Sequence, residues 1–385
     1  MRRKVCVVIT ARPSYSRIRS VLEAIRANDD LELQLVVAAS ALLDRYGNTQ
    51  NVIEEEGFRI DRRVFMVLEG ENLVTSAKST GLGMAELATV FDDLKPDVVV
   101  TVGDRFETMA TAVAASYLNI PLVHIQGGEI TGSIDEKVRH AVTKLADVHM
   151  VATARAAERV IRMGERPECV FNTGCPSIDV ASRALENPEI DLDAVFDTYG
   201  GVGERPDLSS GYIVVLQHPV TTEYAASRRH VEETLHAVTD SGIPTFWFWP
   251  NVDAGSDGTS KGIRSFRESH SLPGIHFFKN LPPEDFIRVV NRSRCIVGNS
   301  SVGIRECSFL GVPAVNIGSR QLGRDRGRNV LDVPYDRQAI TAALEKQLAQ
   351  QKFESDSLYG VGRSGERIAE LLVKIPLQIE KQLTY

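Results

Sequence analysis

The sequence predicts an α/β protein with two Rossmann-like, doubly wound domains in tandem. Three observations lead there. Short, almost continuously apolar runs recur along the chain, first as KVCVVIT at residues 4–10 and again as VVVTV at 98–102. Such runs suit parallel strands buried on both faces. Each is followed by a polar turn and then by apolar residues at helical spacing. The alternation breaks down once, between about residues 187 and 211, and then restarts.

Taken in order, the run at 4–10 is the first strand; it ends in Ala11-Arg12-Pro13-Ser14-Tyr15-Ser16, and an amphipathic helix is expected over 17–27. A second strand is expected at 31–39, a short helix at 51–56 and a third strand at 59–66. Residues 73–94 keep helical periodicity, with Gly81 and Gly83 as weak points, because glycine costs about 1 kcal/mol inside a helix. Strands follow at 98–102, 122–125, 149–152 and 170–173. The interruption holds Pro188, Gly200-Gly201, Gly203 and Pro206, the composition of an interdomain linker with helix remnants. Domains are therefore expected at 1–186 and 212–362, joined by 187–211. In the second domain, strands are expected at 212–216, 245–249, 275–278, 295–297 and 314–317, with helices at 221–239, 283–291 and 302–310. The end of the chain, 336–385, reads as mostly helical.

Composition narrows the function. At 385 residues the chain exceeds one ordinary core. Its 43% hydrophobic and 25% charged content is that of a soluble globular protein. A formal net charge of −7 argues against a general nucleic-acid-binding surface. The five cysteines, Cys6, Cys169, Cys175, Cys295 and Cys307, show no paired spacing and read as reduced thiols. No stretch is long enough to span a membrane. The basic start Met1-Arg2-Arg3-Lys4 leads into an apolar run too short for a secretory signal. A cytoplasmic enzyme is expected, and with no His/Cys ligand cluster, no metal and no cofactor.

The densest chemistry lies at residues 98–147. Two apolar runs end in loops carrying Asp104 and, in Gln126-Gly127-Gly128-Glu129, a second acid; Asp135 opens the helix-like segment that follows. Ligands of open parallel sheets sit outside the carboxyl ends of the strands. Three acids at two such ends suggest proton chemistry on a bound molecule. In the second domain, Gly298-Asn299-Ser300-Ser301 links a strand to a helix, an arrangement that favours phosphate. Glu306 follows within the helix, and Arg320, Arg324, Arg326 and Arg328 follow the next strand. Serines that cap a helix and solvated arginines would look the same singly; together, at successive strand ends, they point to a diphosphate site. Arg12, His218 and Asn251 stand at further strand ends. His140 and His149 fall in element interiors and read as structural.

Six blocks in order, GDRFETMA, HIQGGEITGSIDEKVRHAVTKLAD, LQHPVTTE, PNVDAGSDG, GNSSVGIRE and GSRQLGRDRGRNV, resemble the hydrolysing UDP-N-acetylglucosamine 2-epimerases over roughly residues 12–330. The resemblance implies the glycosyltransferase-B architecture, two Rossmann-like domains facing across a cleft, with the terminal helix at 363–385 returning to the first. It implies elimination of the nucleoside diphosphate across C1 and C2 of an N-acetyl sugar, then hydration of the glycal to the free 2-epimer, as in sialic- and legionaminic-acid-type biosynthesis. It places Asp104 and Asp135 among the acids of the chemistry, with Ser300, Ser301, Glu306 and Arg320 as nucleotide contacts and Arg12 and His218 around the diphosphate and sugar. Gln126, Asn251 and Asn299 join the substrate-binding set. Many relatives carry a glutamate where this chain has Gln126, and an amide is no base. Either that position only hydrogen-bonds, or Glu129 supplies the acid. The catalytic set is therefore Asp104, Glu129, Asp135 and His218, without a choice of which removes the C2 proton. UDP is the nucleotide implied, with a GDP-sugar or a UDP-2,4-diacetamido sugar as alternatives, and a homodimer is the implied assembly. A non-hydrolysing epimerase, a glycosyltransferase and a nucleotide-sugar sensor are the rival functions.

Overall fold

The structure, a computed structural model, describes residues 2–44, 48–69, 73–103, 105–131, 135–250 and 256–384. The chain forms two compact units. Unit one holds the described residues up to Glu129, those from Asp135 to Asp179 and those from Gly360 onward; unit two holds Ile130, Thr131 and Val180–Tyr359.

Unit one is built on seven parallel strands: β1 (Arg3–Ile9), β2 (Leu31–Ala38), β3 (Arg62–Val64), β4 (Val98–Val102), β5 (Leu122–Ile125), β6 (Val148–Val151) and β7 (Val170–Asn172). Helices α1 (Arg12–Ala27), α2 (Thr49–Glu55), α3 (Leu73–Leu94), α4 (Phe106–Tyr117), α5 (Asp135–Leu145), α6 (Ala154–Arg162) and α7 (Ser177–Glu186) alternate with them. The apolar runs become strands because the pleat sends alternate residues to opposite faces. Val5, Val7 and Ile9 of β1 pack with Ile18, Val21, Leu22 and Ile25 of α1, whereas Cys6 and Val8 pack on the other face with Leu87 and Phe91 of α3. Burying each such side chain contributes about 1.5–3 kcal/mol. Helix α3 runs unbroken through Gly81 and Gly83.

Unit two repeats the plan with six parallel strands: β8 (Ile213–Leu216), β9 (Thr245–Phe248), β10 (Ile275–Phe278), β11 (Cys295–Gly298), β12 (Ala314–Ile317) and β13 (Val330–Val333). Its helices are α8 (Leu192–Tyr199), α9 (Ser227–Ser241), α10 (Ser256–Ser269), α11 (Pro283–Arg292), α12 (Ser301–Ile304), α13 (Glu306–Leu310) and α14 (Arg337–Leu348). The strand orders are β3-β2-β1-β4-β5-β6-β7 and β10-β9-β8-β11-β12-β13. Each is the doubly wound order 3-2-1-4-5-6, extended by one strand in unit one. Each therefore has its topological switch point between the first and fourth strands of the unit, β1/β4 and β8/β11.

Residues 187–211 are not a linker, as their composition suggested, but part of unit two. The carboxylate of Asp191 caps α8 by accepting from the backbone N–H groups of Asp193 (2.9 Å) and Ala194 (3.2 Å). Val195 and Phe196 are buried in the unit-two core, and Val202 pairs with Phe277. The Gly and Pro residues mark the ends of an element rather than its absence. The boundary falls inside α7, after Asp179, because Val180, Ala181 and Ala184 pack into that same core. Strand β13 is a further element that the sequence did not suggest.

The last helix, α15 (Ser364–Lys374), belongs to unit one. Asp179 accepts from the N–H groups of Ser364 (2.8 Å) and Gly365 (2.7 Å) at its start, and the Arg3 guanidinium donates to the carbonyls of Leu372 and Ile375 at its end. A carboxylate at the N-terminus and a cation at the C-terminus both match the helix dipole. Ile368, Ala369 and Leu372 complete the attachment by joining the core with β1 and α1.

Beyond α15 the chain is held by a buried carboxylate. Glu165 accepts from Lys144 (2.5 Å), His149 (2.9 Å) and Lys381 (2.6 Å). Burial pushes its carboxyl up, but hydrogen bonds from His149, Lys144 and Lys381 outweigh that and hold it down at about 2. Burial keeps His149 below its ordinary value despite the Glu165 carboxylate. His149 is thus structural. A depressed carboxyl contributes stability above its unfolded pKa and loses it as pH falls toward the folded value. A depressed histidine acts in the same direction below pH about 6.5. Asp147, pushed up by burial, acts in the opposite sense: its contribution is present at low pH and lost as pH rises through its folded pKa. The melting temperature is therefore expected to fall between pH 5 and 3, and Glu165→Gln should lower it at pH 7 by several degrees and flatten that fall. Parallel melting curves for the two proteins across this range would contradict the assignment.

Candidate nucleotide-sugar site

In both units the described site residues lie past the carboxyl ends of strands at the switch point or next to it. Arg12 follows β1 as the first residue of α1, a helix with no acidic residue in its first turn. A cation there opposes the helix dipole unless an anion joins it. Burial holds Arg12 below its ordinary pKa, and it makes no ion pair among the described residues. β4 ends at Gly103, whose carbonyl accepts from Nε2–H of His124 on β5 (2.8 Å). Nδ1 of the same ring lies 3.1 Å from the Thr143 hydroxyl on α5. A ring that donates through Nε2 accepts at Nδ1 when neutral, so Thr143 is the donor. Three elements are thereby fixed around the loop that leads into Asp104, which itself lies outside the described residues.

β5 continues into Gln126, Gly127, Gly128 and Glu129. Gly128 has φ +74, and a Cβ on it would lie 2.3 Å from the Ala156 carbonyl of α6. Only glycine lets the loop lie this close to α6. Arg139, itself buried, donates to the Glu129 carbonyl (2.8 Å), and Arg159 donates to that of Gly128 (3.3 Å). Glu129 is 4% exposed, so the carboxylate is inside the loop rather than on its surface. Asp135 stands at the first position of α5, where the helix dipole favours negative charge.

In unit two, β8 leads into Gln217 and His218, and β11 into Asn299 and Ser300. Gly298 closes β11 with φ +134, and a Cβ there would lie 2.2 Å from the Leu216 carbonyl. Asn299 is fully buried and bonds His218 in both directions: its Oδ1 accepts from the His218 N–H (2.7 Å) and its Nδ2 donates to the His218 carbonyl (2.8 Å). Its own carbonyl accepts from Gln321 (2.9 Å) and Arg320 (3.2 Å). Asn299 is therefore a strut that sets the two loops against each other. Ser300 caps α12, with Oγ accepting from the Val302 N–H (3.4 Å).

The expected helix at 302–310 is two short ones. Arg305, with φ −94 and ψ −70, ends α12 after four residues and begins α13. Four residues carry little macrodipole, so charge at this loop falls to the local N–H groups and to Arg320. Arg320 reaches the Asn299 loop. Arg326 is ion-paired to Asp332 (2.7 Å), Arg324 is buried and Arg328 is exposed. Glu306 opens α13, 8% exposed, with Oε2 unpartnered among the described residues. Asn251 lies outside the described residues, so its placement is not part of this geometry.

The sequence profile of the UDP-N-acetylglucosamine 2-epimerase family matches residues 23–373. The chain belongs to this family. It is 33% identical over 377 residues, 98% of this chain and 97% of the relative, to a UDP-N,N'-diacetylbacillosamine 2-epimerase (hydrolyzing) of Legionella pneumophila. A UDP-N-acetylglucosamine 2-epimerase of Neisseria meningitidis is 29% identical, over 97% of this chain and 95% of its own. The crystal structure of the UDP-GlcNAc 2-epimerase from Neisseria meningitidis bound to UDP-GlcNAc superposes with a TM-score of 0.81 at 17% identity, covering 97% of this chain and 100% of that one. The Methanocaldococcus jannaschii UDP-GlcNAc 2-epimerase in complex with UDP-GlcNAc and UDP gives a TM-score of 0.79 at 19% identity, covering 96% and 99%. These likenesses show the fold, the glycosyltransferase-B type with two Rossmann-like units. Among the described residues, no helix is long and apolar enough to cross a membrane.

Within this epimerase fold, the residues that hold the site in place are the ones sequence reading passed over. His124, Thr143 and Gln321 lie inside the six blocks but have no role assigned there, and Cys175 and Tyr335 lie outside them. Tyr335 reaches Asn299 (3.3 Å) and stacks on His230, with ring centroids 3.7 Å apart. Asn299→Ala removes both bonds to the His218 backbone and leaves two buried groups unpaired, at about 1–3 kcal/mol each. It should lower the melting temperature by several degrees and weaken UDP binding at least tenfold. Unchanged melting and unchanged UDP affinity would show that the strut carries no such load.

Proposed function

We propose that this chain is a hydrolysing 2-epimerase that converts UDP-N-acetylglucosamine and water to N-acetylmannosamine and UDP. The observation that carries the reading is family membership along nearly the whole chain, supported by acids at the strand ends of one unit and an anion-suited loop in the other. The hydrolysing form is favoured because relatives whose names specify it, from Legionella pneumophila and Campylobacter jejuni, match at 33% and 29% identity over 98% and 86% of this chain. The former also favours a second substrate, UDP-N,N'-diacetylbacillosamine, on which the same chemistry would run.

In this reading a carboxylate removes the C2 proton while the C1–O bond breaks. The C–H electrons become the C1=C2 double bond, and UDP leaves with the bond pair. Ser300, Ser301 and Arg320 meet the charge that develops on the diphosphate, with Arg12 beside it and Glu306 on the sugar or ribose hydroxyls. Water then adds its oxygen to C1 while a proton reaches C2 from the opposite face. Asp104, Glu129 and Asp135 share these proton transfers, and His218 assists at the diphosphate. The environments of two of the acids differ in a useful way. Asp135 opens a helix, and Glu129 is buried in the turn after β5. Acids held in unlike environments can divide donor and acceptor roles.

Incubation with UDP-N-acetylglucosamine and with UDP-N,N'-diacetylbacillosamine in heavy water, with products identified by NMR, tests the reading. Free 2-epimer carrying one deuterium at C2, together with UDP, is expected. A product still linked to UDP would make the protein a non-hydrolysing epimerase, and absence of deuterium would discard the elimination. Asp135→Asn is expected to lower kcat by about 10²–10⁴-fold while UDP binding is retained; near-normal turnover would remove Asp135 from the proton transfers.

A further inference from the structure

We propose that Gln126 is a sugar contact whose amide oxygen accepts a hydrogen bond from an N–H or O–H of the bound hexosamine, with Cys175 as the residue that positions the amide. The proposal rests on the reading above for the identity of the sugar.

Four observations at this residue point the same way. Gln126 follows β5 directly and has φ +66, a conformation that L-residues rarely adopt. Its backbone N–H bonds the Met150 carbonyl of β6 (2.9 Å), so the turn cannot relax without loss of a sheet bond. Its side chain is buried, at 2% exposure, and Nε2 donates to the Cys175 thiol (3.0 Å), which lies 3.0 Å from the Ser177 hydroxyl at the start of α7. Oε1 is buried with no partner among the described residues. Exchanging the two amide atoms does not help, because Nε2 would then be the unpartnered one.

A strained backbone and an unpaired buried acceptor are each unfavourable, and together at a strand end next to the switch point they are the signature of a group waiting for a ligand. The amide is neutral over the whole working range of pH. It orients the sugar and takes no proton from C2. The thiol is a weak acceptor, and its own contact with Ser177 fixes where the sulfur sits. Gln126, Cys175 and Ser177 thus form a relay of contacts from α7 to the sugar, in which Gln126 touches the substrate and Cys175 acts through it.

Binding separates this proposal from the reading of function. Titration calorimetry would use UDP and phosphonate analogues of the two UDP-sugars, with CH2 in place of the anomeric oxygen so that elimination is blocked. Gln126→Leu is expected to weaken one or both analogues by roughly tenfold or more while leaving UDP affinity unchanged. Gln126→Glu keeps an acceptor oxygen and is expected to lose less. If only the diacetamido analogue is affected, the donor is its second amide; if both are, it is a group they share. Cys175→Ala is expected to weaken the analogues several-fold, and Cys175→Ser to recover most of that, because a hydroxyl still accepts from Nε2. Equal weakening of UDP and the analogues, or none in a variant with normal melting, would overturn the proposal. Should Gln126→Leu fail to fold, the Cys175 pair decides: no difference between alanine and serine would equally overturn it. Failure of the wild-type enzyme to release UDP from either sugar would instead end the reading of function, whatever the binding results.

Discussion

The reversal of strand order beside β1 and again beside β8 is the constraint on which the site depends. Crossovers on the two sides of such a junction wind to opposite faces of the sheet, so the loops at its carboxyl end diverge and leave backbone groups uncovered. Part of the site begins there: Arg12 after β1, the Gly103 turn after β4, His218 after β8 and Ser300 after β11; Gln126, Glu129 and Arg320 follow the next strands, β5 and β12. The same topology gives each unit its own set of loops at the carboxyl ends of its strands. Their chemistry differs because the sequences at those ends differ, with acids and a Gly-Gly turn in unit one and an Asn-Ser-Ser turn with Arg320 in unit two.

Most of the sheet framework was legible because it is a one-dimensional pattern. A strand covered on both faces must be apolar almost throughout, and KVCVVIT is enough to announce it. Elements held by tertiary contacts were less legible. Helix α8 lies in a Gly- and Pro-rich stretch, and its stability comes from the Asp191 cap and from Phe196 against the ring of Phe246, 5.3 Å away. The break at Arg305 is similar. A buried arginine whose guanidinium lies 5.9 Å from the centre of the Tyr359 ring ends one helix and starts another, and nothing local to VGIREC encodes that. Domain boundaries suffered most, because α7 starts in one unit and buries its later residues in the other.

The candidate site was legible as a set of positions but not as a division of labour. Motif reading ranks Asn299, Ser300 and Arg320 alike, since all are polar and close in sequence or at successive strand ends. The structure separates them: Asn299 spends its side chain on the His218 backbone, and Arg326 spends its charge on Asp332. Arginines that looked equivalent in SRQLGRDRGRN differ because partners supplied by distant strands are invisible at that spacing. His124 was missed for the complementary reason. It lies within an apolar strand, where a histidine usually reads as filler, and only its bonds to Gly103 and Thr143 reveal it as the tie between β4, β5 and α5.

Where local rules are broken is itself informative. Folded chains tend to satisfy buried polar groups and keep L-residues out of left-handed conformations, and departures concentrate where function requires them. Glu165 obeys the rule, with three partners for one buried carboxylate, and its burden is structural. By contrast, Arg12 places a half-buried cation at the start of a helix, Gln126 combines a positive φ with an unpaired amide oxygen, and Glu306 buries a carboxylate oxygen unpaired among the described residues. Arg12 and Gln126 lie just past the carboxyl ends of β1 and β5, and Glu306 opens α13, after the short helix α12 that follows β11. Selection for stability alone would replace a helix-start cation with an acid and a left-handed glutamine with glycine, both at little cost to the sheet. Buried unpartnered groups and left-handed residues occur elsewhere too, as at Trp247 and Lys95; what sets Arg12, Gln126 and Glu306 apart is that, in the proposed reading, a bound ligand supplies their missing partners.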